Sequence, residues 1–142
     1  MSRRYLLDTN HLSAAVNPRL TLRETLRAAH AQGIVLGTCT PALGELETGF
    51  QQTPDPERNR QALIVVRRHV RLWPLDELVA RHFGEIFNDL RRRGRALSHI
   101  DMLIAALCRH TNLILLSTDT DFDALPDIRR ENWLESPNVS AP

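Results

Sequence analysis

The amino-acid sequence predicts an α/β fold, a three-layer α/β/α sandwich with a central parallel sheet. Short apolar runs alternate with segments of helical periodicity, which is typical of strands joined by helical crossovers. The runs are continuously apolar, as expected for strands that are buried on both faces. One helix near the carboxyl end is apolar nearly all round, which places it in a core. With 142 residues, we expect a single domain that covers residues 1–142.

The first half of the chain predicts two strands and three helices. We expect strands at residues 5–7 and 34–39, and helices at residues 21–31, 40–49 and 58–69. The first apolar run ends at Asp8, and Gly33 ends the first helix. Thr40 and Pro41 are the residue types of an N-cap and of the first helical position. Residues 51–57 are polar and contain two prolines, so they form a loop.

The second half predicts two long helices and the strongest strand of the chain. We expect strands at residues 70–72 and 113–116, a short strand near Trp133, and helices at residues 77–93 and 98–109. The first of these helices ends at Gly94, and the second is the nearly all-apolar one. The run Leu-Ile-Leu-Leu at residues 113–116 is the clearest candidate for a buried strand.

The composition excludes several classes of protein. The 42% hydrophobic and 25% charged content is that of a globular chain, not of a disordered one. All 18 basic residues are arginine, which excludes a Schiff-base lysine and a P-loop lysine. Arginine grips phosphates bidentately, although a genome rich in G·C codons would produce the same preference. The net charge of +1 does not by itself indicate a nucleic-acid partner.

The cysteines and the amino-terminal segment favour a reducing, cytoplasmic setting. Cys39 and Cys108 form no CxxC pair and are too few for a disulfide scaffold. No apolar run approaches the ~18 residues of a membrane span. The apolar run before Asp8 has three residues, whereas a signal peptide needs about 7–15. We therefore expect neither a membrane segment nor a secretion signal.

Acidic residues stand where a parallel sheet places its ligand site. Ligands of such sheets bind outside the carboxyl ends of the strands. Asp8 follows the first strand, Asp119 follows the last strong one, and Asp101 opens the core helix. Each also has a purely structural interpretation. Asp8 could cap a turn, Asp101 could complete a capping box with Ser98, and Asp119 could be a turn residue.

A fourth acid comes from the helix at residues 40–49, where two glutamates compete. Glu45 and Glu47 lie about 200° apart around a helix, so at most one of them faces a given site. The apolar residues of this helix centre about midway between the two glutamates, so periodicity does not choose between them. Both could also be solvated.

Several carboxylates that meet in one pocket require a cation. A pair of charges 4 Å apart repels by about 4 kcal/mol at an effective dielectric constant of 20. A hard divalent cation neutralises such a cluster, and Mg²⁺ or Mn²⁺ suits carboxylate and water ligands. Such a site can activate water and stabilise the cleavage of a phosphodiester.

Four motifs occur in an order and spacing that resemble a known family. They are LLDTN at the start, ELETG in the first third, SHIDMLIAA in the last third, and LLSTDTDFDAL after the strand at residues 113–116. The chain is similar here to the PIN domain, and most closely to the VapC-like toxins of type II toxin–antitoxin systems. The resemblance covers nearly the whole chain. It implies an α/β/α sandwich, a homodimer, and cleavage of RNA with Mg²⁺ or Mn²⁺.

The resemblance also implies roles for individual residues. Catalytic and metal-binding roles carry over onto Asp8, Glu45, Asp101 and Asp119, with Asp121 as a secondary metal-binding acid. Supporting polar roles carry over onto Thr9, Asn10 and Thr118. The implied function is that of a metal-dependent endoribonuclease, the toxin of a pair whose antitoxin protein covers the acidic groove.

The pattern departs from the family in one place and admits rival interpretations. Many relatives have a glycine before the third acid, where this chain reads LSHID, and His99 has no assigned role. The DTDFD run fails as a calcium loop, because Ala124 and Arg130 replace the required glycine and glutamate. It fits the nucleophile motif of haloacid-dehalogenase-like phosphatases locally, but those enzymes need a lysine. The other alternative is a non-catalytic domain of the same fold that binds RNA or protein.

Two further patterns remain open between a structural and a functional interpretation. One is the basic cluster of Arg91, Arg92, Arg93 and Arg95. It either complements the dipole at a helix C-terminus or contacts RNA phosphates. The other is the apolar stripe of Phe83, Ile86, Phe87 and Leu90, which is either core or a dimer surface.

Overall fold

The structure, a computed structural model, describes residues 3–134 and contains strands that alternate with helices. The strands are β1 (Arg4–Leu7), β2 (Val35–Thr38), β3 (Arg71–Leu72), β4 (Ile114–Leu116) and β5 (Arg130–Glu131). The helices are α1 (Thr9–Val16), α2 (Leu22–Ala31), α3 (Thr40–Phe50), α4 (Pro56–Val66), α5 (Glu77–Arg92) and α6 (His99–Thr111), with a short 3₁₀ helix at Thr120–Ala124. The predicted domain, residues 1–142, extends beyond the described residues at both ends.

The strands form one parallel sheet in the order β3-β2-β1-β4-β5. Leu6 in the central strand pairs with Gly37 of β2 on one side and with Leu115 of β4 on the other. The chain adds β2 and β3 on one side of β1 and then crosses to add β4 and β5 on the other side. The crevice at the carboxyl ends of β1 and β4 is therefore the topological switch point, where such sheets bind ligands. Helices flank the sheet, which confirms the predicted α/β/α class.

The core lies between the sheet and its helices, as the apolar runs predict. The strand residues Leu6, Leu7, Leu115 and Leu116 have no solvent exposure. Helix α6 is buried along most of its length, and its residues 104–107 are fully buried. Because α6 is packed into the core on most of its faces, the residues in its first turn are held in a fixed position. No helix among residues 3–134 is both long enough and apolar enough to cross a membrane.

Helix α1 is the one α-helix of the described chain that the sequence did not predict. It begins directly after β1, and the Asp8 side chain accepts a hydrogen bond from the Thr9 N–H at 2.7 Å as its N-cap. Thr, Asn and His at its first three positions have modest helix propensity. Packing against α2, α3 and α4 stabilises the helix instead. The expected cap at Asp8 is therefore confirmed, but it caps a helix.

Two boundaries near loops also differ from the prediction. Helix α4 covers Pro56–Val66, not residues 58–69, because Pro56 occupies its first turn after the cap Asp55. The short strand expected near Trp133 is β5, at Arg130–Glu131, and it ends two residues before the tryptophan. These two polar residues form an edge strand, which carries no apolar pattern. Trp133 lies in the turn that follows β5 and packs its ring 5.0 Å from that of Tyr5.

The edge strand β3 is held by the tryptophan that follows it. Trp73 donates its backbone N–H to the Thr38 carbonyl oxygen, at 2.8 Å. Its indole Nε1 donates across β2 to the Tyr5 carbonyl oxygen of the central strand, at 2.9 Å. The indole lies over Gly37, where an added Cβ atom would overlap the ring. Only glycine, which has no Cβ atom, leaves room for the indole at this position.

Candidate active site

The carboxyl ends of β1 and β4 bring the first site residues together. Asp8 follows β1 and donates its backbone N–H to the Leu116 carbonyl oxygen at the end of β4, at 2.9 Å. Ser117 and Asp119 follow β4. Asp8 and Asp119, which are 111 positions apart in the chain, therefore lie at the same edge of the sheet, as their positions after strands predict.

The Asp8 carboxylate is buried, with 4% exposure, and each of its two oxygens accepts a hydrogen bond from the chain. Its Oδ1 accepts from the Thr9 N–H at 2.7 Å, and its Oδ2 accepts from the Ser117 hydroxyl at 2.7 Å. Burial raises the pKa of Asp8 above its ordinary value, and the negative charges of Glu45 and Asp119 raise it further. The two hydrogen bonds oppose this shift because they stabilise the ionised form.

The Ser117 hydroxyl connects Asp8 to the residues after β4. Besides donating to Asp8, the Ser117 Oγ atom accepts from the Asp119 N–H at 3.1 Å. Asp119 in turn accepts from the Asp121 N–H at 2.9 Å through its own Oδ1, which starts the 3₁₀ helix. The interpretation of Asp119 as a turn residue is therefore confirmed. This geometry holds its carboxylate beside the switch point as well.

Helix α3 supplies the third acid, and the structure decides between the two glutamates. The Thr9 hydroxyl donates to Glu45 Oε1 at 2.8 Å, which places Glu45 beside the Asp8 segment. Glu47 is instead bound by the Arg60 guanidinium of α4. Glu47 therefore does not reach the site.

Asp101 is the fourth acid and lies in the first turn of α6. Its backbone N–H donates to the Ser98 hydroxyl at 3.1 Å, which confirms the predicted N-cap. Partial burial raises the pKa of Asp101 to about 6, and the negative charges of Asp8, Asp119 and Glu45 contribute to this shift. The structure is thus compatible with both interpretations of Asp101, as a capping residue and as a residue of the site. The backbone N–H of Asp101 takes part in the N-cap of α6. The negative charges of the other three acids act on its carboxylate.

The four acids have no cationic partner in the described chain. None of the ion pairs among residues 3–134 includes Asp8, Glu45, Asp101 or Asp119. Within the same residues, no three His, Cys, Asp or Glu side chains are gathered tightly enough to enclose an ion as they stand. The site is therefore a loose group of carboxylates and not a closed cage. All its charged ligand atoms are oxygens, which is the donor set that suits Mg²⁺ or Mn²⁺.

The remaining predicted residues have distinct positions. Asn10 contacts Asp8 and Ser117, whereas Thr118 contributes its backbone N–H, which donates to Asn10 Oδ1 at 3.2 Å. The Asp121 carboxylate is exposed beside the site. Among the basic cluster, Arg93 binds Asp89 and the Ala124 carbonyl oxygen, and Arg92 lies near Asp89. Arg91 and Arg95 are exposed.

Two polar residues of the site were not predicted from the sequence. Ser117 directly follows β4, so the rule that identified Asp8 applies to it equally. His11 is completely buried beside Asn10, and its ring nitrogens contact Asn10 and Trp133. No sequence signal marks His11, because one contact comes from a residue 122 positions away.

Comparison with known proteins agrees with this architecture. The PIN domain family matches residues 5–128 of the chain. The chain is 26% identical to the tRNA(fMet)-specific endonuclease VapC of Shigella flexneri over 132 residues, covering 92% of this chain and 98% of that protein. It is 27% identical to the ribonuclease VapC2 of Haemophilus influenzae over 132 residues, with the same coverage.

Solved structures show the same fold. The VapBC2 structure from Rickettsia felis, bound to a DNA fragment from its promoter, matches with a TM-score of 0.82 and 22% identity, over 92% of this chain and 98% of that one. The DNA-bound VapBC structure from Salmonella typhimurium matches with a TM-score of 0.79 and 25% identity, over 94% and 99% of the two chains. The chain therefore belongs to the PIN-domain family.

Proposed function

We propose that this protein is a metal-dependent endoribonuclease and the toxin of a toxin–antitoxin pair. The observation that carries the proposal is the placement of four carboxylates, Asp8, Glu45, Asp101 and Asp119, near enough at the switch point for their charges to raise the pKa values of Asp8 and Asp101. Among the described residues, none of the four forms an ion pair with a basic side chain. The names of the relatives support the proposal, because they are ribonucleases and a tRNA-specific endonuclease.

The electrostatics of the site support the need for a cation. An RNA phosphodiester is an anion, and uncompensated carboxylates repel it by about 4 kcal/mol for each pair at 4 Å. Asp8, Glu45, Asp101 and Asp119 would hold Mg²⁺ or Mn²⁺, with Asp121 as an additional acid at the rim. When bound there, a divalent cation activates water and stabilises charge on the leaving oxygen.

The chain's own residues orient these acids before any ligand binds. Ser117 and the Thr9 N–H hold one oxygen each of the Asp8 carboxylate, so its plane is set by two hydrogen bonds. The Thr9 hydroxyl sets Glu45 in the same way. Side chains held in one geometry lose little further entropy when they bind a ligand, which is the condition for an efficient site.

The two rival functions have less support. A haloacid-dehalogenase-like phosphatase would need a lysine, and the chain has none. A non-catalytic domain of this fold would not need all four acids, yet the chain retains each one. The relatives also carry catalytic names.

An antitoxin partner and a second copy of the chain complete the proposal. The similar structures include VapBC complexes. We expect an antitoxin to cover the acidic groove and the exposed apolar side chains of α5 to contribute to a homodimer. In the α5 stripe, Ile86 and Leu90 are buried whereas Phe87 is 37% exposed. Arg91 and Arg95 are proposed contacts for RNA phosphates, and the setting is cytoplasmic.

Cleavage of RNA by charge-neutral variants tests the proposal. Glu45→Gln keeps an oxygen that can accept from Thr9, so it removes the charge and leaves the fold intact. We expect Glu45→Gln and Asp8→Asn each to lower the cleavage rate more than about 100-fold, beyond the 10–100-fold cost of altering an outer partner of a metal site. The rate should be measured with purified protein, RNA, and Mg²⁺ or EDTA.

The matched control is Glu47→Gln, two residues away on the same helix and bound to Arg60. It should cleave RNA at the wild-type rate. Wild-type rates for Glu45→Gln and Asp8→Asn, or undiminished cleavage in EDTA, would contradict the proposed mechanism.

A further inference from the structure

His11 is a buried polar side chain next to the site, and the proposed mechanism does not use it. It is the third residue of α1 and has no solvent exposure. Its Nδ1 lies 2.8 Å from Asn10 Oδ1, and its Nε2 lies 3.1 Å from the Trp133 backbone nitrogen. Each ring nitrogen therefore has one polar neighbour, and the chemistry of that neighbour decides whether it donates or accepts a hydrogen bond.

These neighbours determine which nitrogen carries the proton. The Trp133 backbone N–H is a donor, so the His11 Nε2 atom must accept and cannot carry a hydrogen. The Asn10 neighbour is a carbonyl oxygen, so the His11 Nδ1–H donates to it. The neutral ring with its proton on Nδ1 satisfies both contacts. Burial lowers the pKa of His11 to about 4, which keeps the ring neutral at neutral pH.

The Asn10 amide is oriented by these donors. Its Oδ1 accepts from the His11 Nδ1–H at 2.8 Å and from the Thr118 N–H at 3.2 Å. Its Nδ2 consequently points the other way, 3.5 Å from Asp8 Oδ2 and 3.4 Å from Ser117 Oγ. An amide turned by 180° would place its NH₂ group against two donors, which is unfavourable.

We propose that His11 is a positioning residue of the proposed ribonuclease site, because its Nδ1–H holds the Asn10 amide with its donor group toward Asp8 and Ser117. This inference rests on the proposed function. His11 touches neither the carboxylates nor a substrate, so it acts only through Asn10. Its second hydrogen bond, to Trp133, anchors the segment after β5 to α1.

Two substitutions separate the positioning role from the anchoring role. In His11→Asn, the side-chain amide nitrogen can take the place of Nδ1 and donate to Asn10, while the contact with Trp133 is lost. In His11→Gln, the longer side chain can place its oxygen where Nε2 accepts from Trp133, while the donor to Asn10 is lost. Each variant keeps one hydrogen bond and loses the other, so we expect similar losses in Tm.

RNA cleavage by these variants tests the proposal. We expect His11→Gln to lower kcat by about 10–100-fold, the usual cost for a residue that orients a ligand-binding group, with little change in KM. His11→Asn should retain most of the wild-type kcat. Equal losses in both variants, in proportion to their losses of Tm, would overturn the positioning role, as would a fully active His11→Gln.

A second readout does not depend on RNA cleavage. Long-range ¹H–¹⁵N NMR spectra of the wild-type protein should show a protonated Nδ1 and an unprotonated Nε2 in His11, and a protonated Nε2 would overturn the proposal. The side-chain NH₂ resonances of Asn10 should move in His11→Gln and stay in place in His11→Asn. If Glu45→Gln cleaves RNA as fast as wild type, the proposed function fails, and these spectra still decide the role of His11.

Discussion

Two groups of carboxylates in this chain have opposite electrostatic surroundings. The first group is paired with arginine, in the ion pairs Glu47–Arg60, Asp123–Arg130 and Asp127–Arg109. In each pair the arginine lowers the pKa of the carboxyl group below its ordinary value. The second group is the site. There the pKa values of Asp8 and Asp101 are raised, by burial first and by neighbouring acids second.

The site therefore differs from the rest of a chain in which acidic and basic residues are nearly equal in number. The sequence has 18 basic and 17 acidic residues, enough arginine to neutralise every acid. Within residues 3–134, the fold nevertheless leaves the acids at the switch point without an ion pair to arginine, and it buries Asp8. Paired acids stabilise the folded state when they are ionised, whereas the site acids destabilise it until a cation binds.

The largest expected effect is stabilisation by a divalent cation. A ligand at 100 times its Kd that binds only the folded state contributes about 2.7 kcal/mol, or roughly 5–10 °C in Tm for a chain of this size. We expect Mg²⁺ or Mn²⁺ to raise the Tm of the wild-type protein by this order, measured against EDTA by calorimetry. The Tm of Glu45→Gln should rise less. An equal rise in both would show that the cation binds elsewhere.

The next effect is stabilisation by the loss of one site charge. The pKa of Asp101 is about 6 in the folded protein, against an ordinary value of 3.8. Full conversion of this difference would give about 3 kcal/mol, and partial exposure reduces it to about 1 kcal/mol. Asp101→Asn should therefore raise the Tm in EDTA at pH 7 by about 2–4 °C.

The raised pKa of Asp101 also determines the direction in which the stability of the folded protein changes with pH. Because folding raises the pKa of Asp101, the folded state holds its proton more tightly, and stability falls as pH rises from about 4 to about 6. In Asp101→Asn this fall should be smaller. A lower Tm in the variant, or an unchanged profile between pH 4 and 6, would contradict the picture of crowded charges.

The smallest effect is expected at a paired acid, and it has the opposite sign. Asp127 makes two hydrogen bonds to Arg109, at 2.6 and 2.9 Å, at a half-exposed position. Asp127→Asn should lower the free energy of unfolding at pH 7 by about 0.5–1 kcal/mol. Because the pKa of Asp127 is lowered, this contribution is present above its ordinary pKa and is lost as pH falls further. Denaturant titrations at pH 7 and pH 3 measure both points.

The sequence predicts the sheet and half of the site for one physical reason. Strands buried on both faces are continuously apolar, and the residue after each strand lies at the ligand edge, so Asp8 and Asp119 can be placed together without coordinates. Helix α1 escapes prediction because its stability comes from a cap and from packing, not from propensity. The sequence predicts β5 only approximately, as a short strand near Trp133, because its two polar residues carry no apolar pattern.

The rest of the site depends on contacts between distant segments. The selection of Glu45 over Glu47 is made by Thr9, 36 positions away, and by Arg60, 13 positions away. Periodicity within α3 contains neither contact. The role of His11 similarly depends on Trp133. A resemblance to the PIN domain can suggest Glu45, but the physical reason for it becomes visible only when the segments are placed in space.

The indole of Trp73 makes one glycine of β2, Gly37, critical for solubility. Strand β3 has two residues, so its ladder hydrogen bonds alone hold the rim of the sheet weakly. An alanine at position 37 would push the indole outward. The backbone N–H and C=O groups of β2 that face β3 would then lose their partners. Exposed strand rims pair readily with other chains. A single added methyl group would thus expose a strand edge through which copies of the chain aggregate during expression, although no acid of the site is changed.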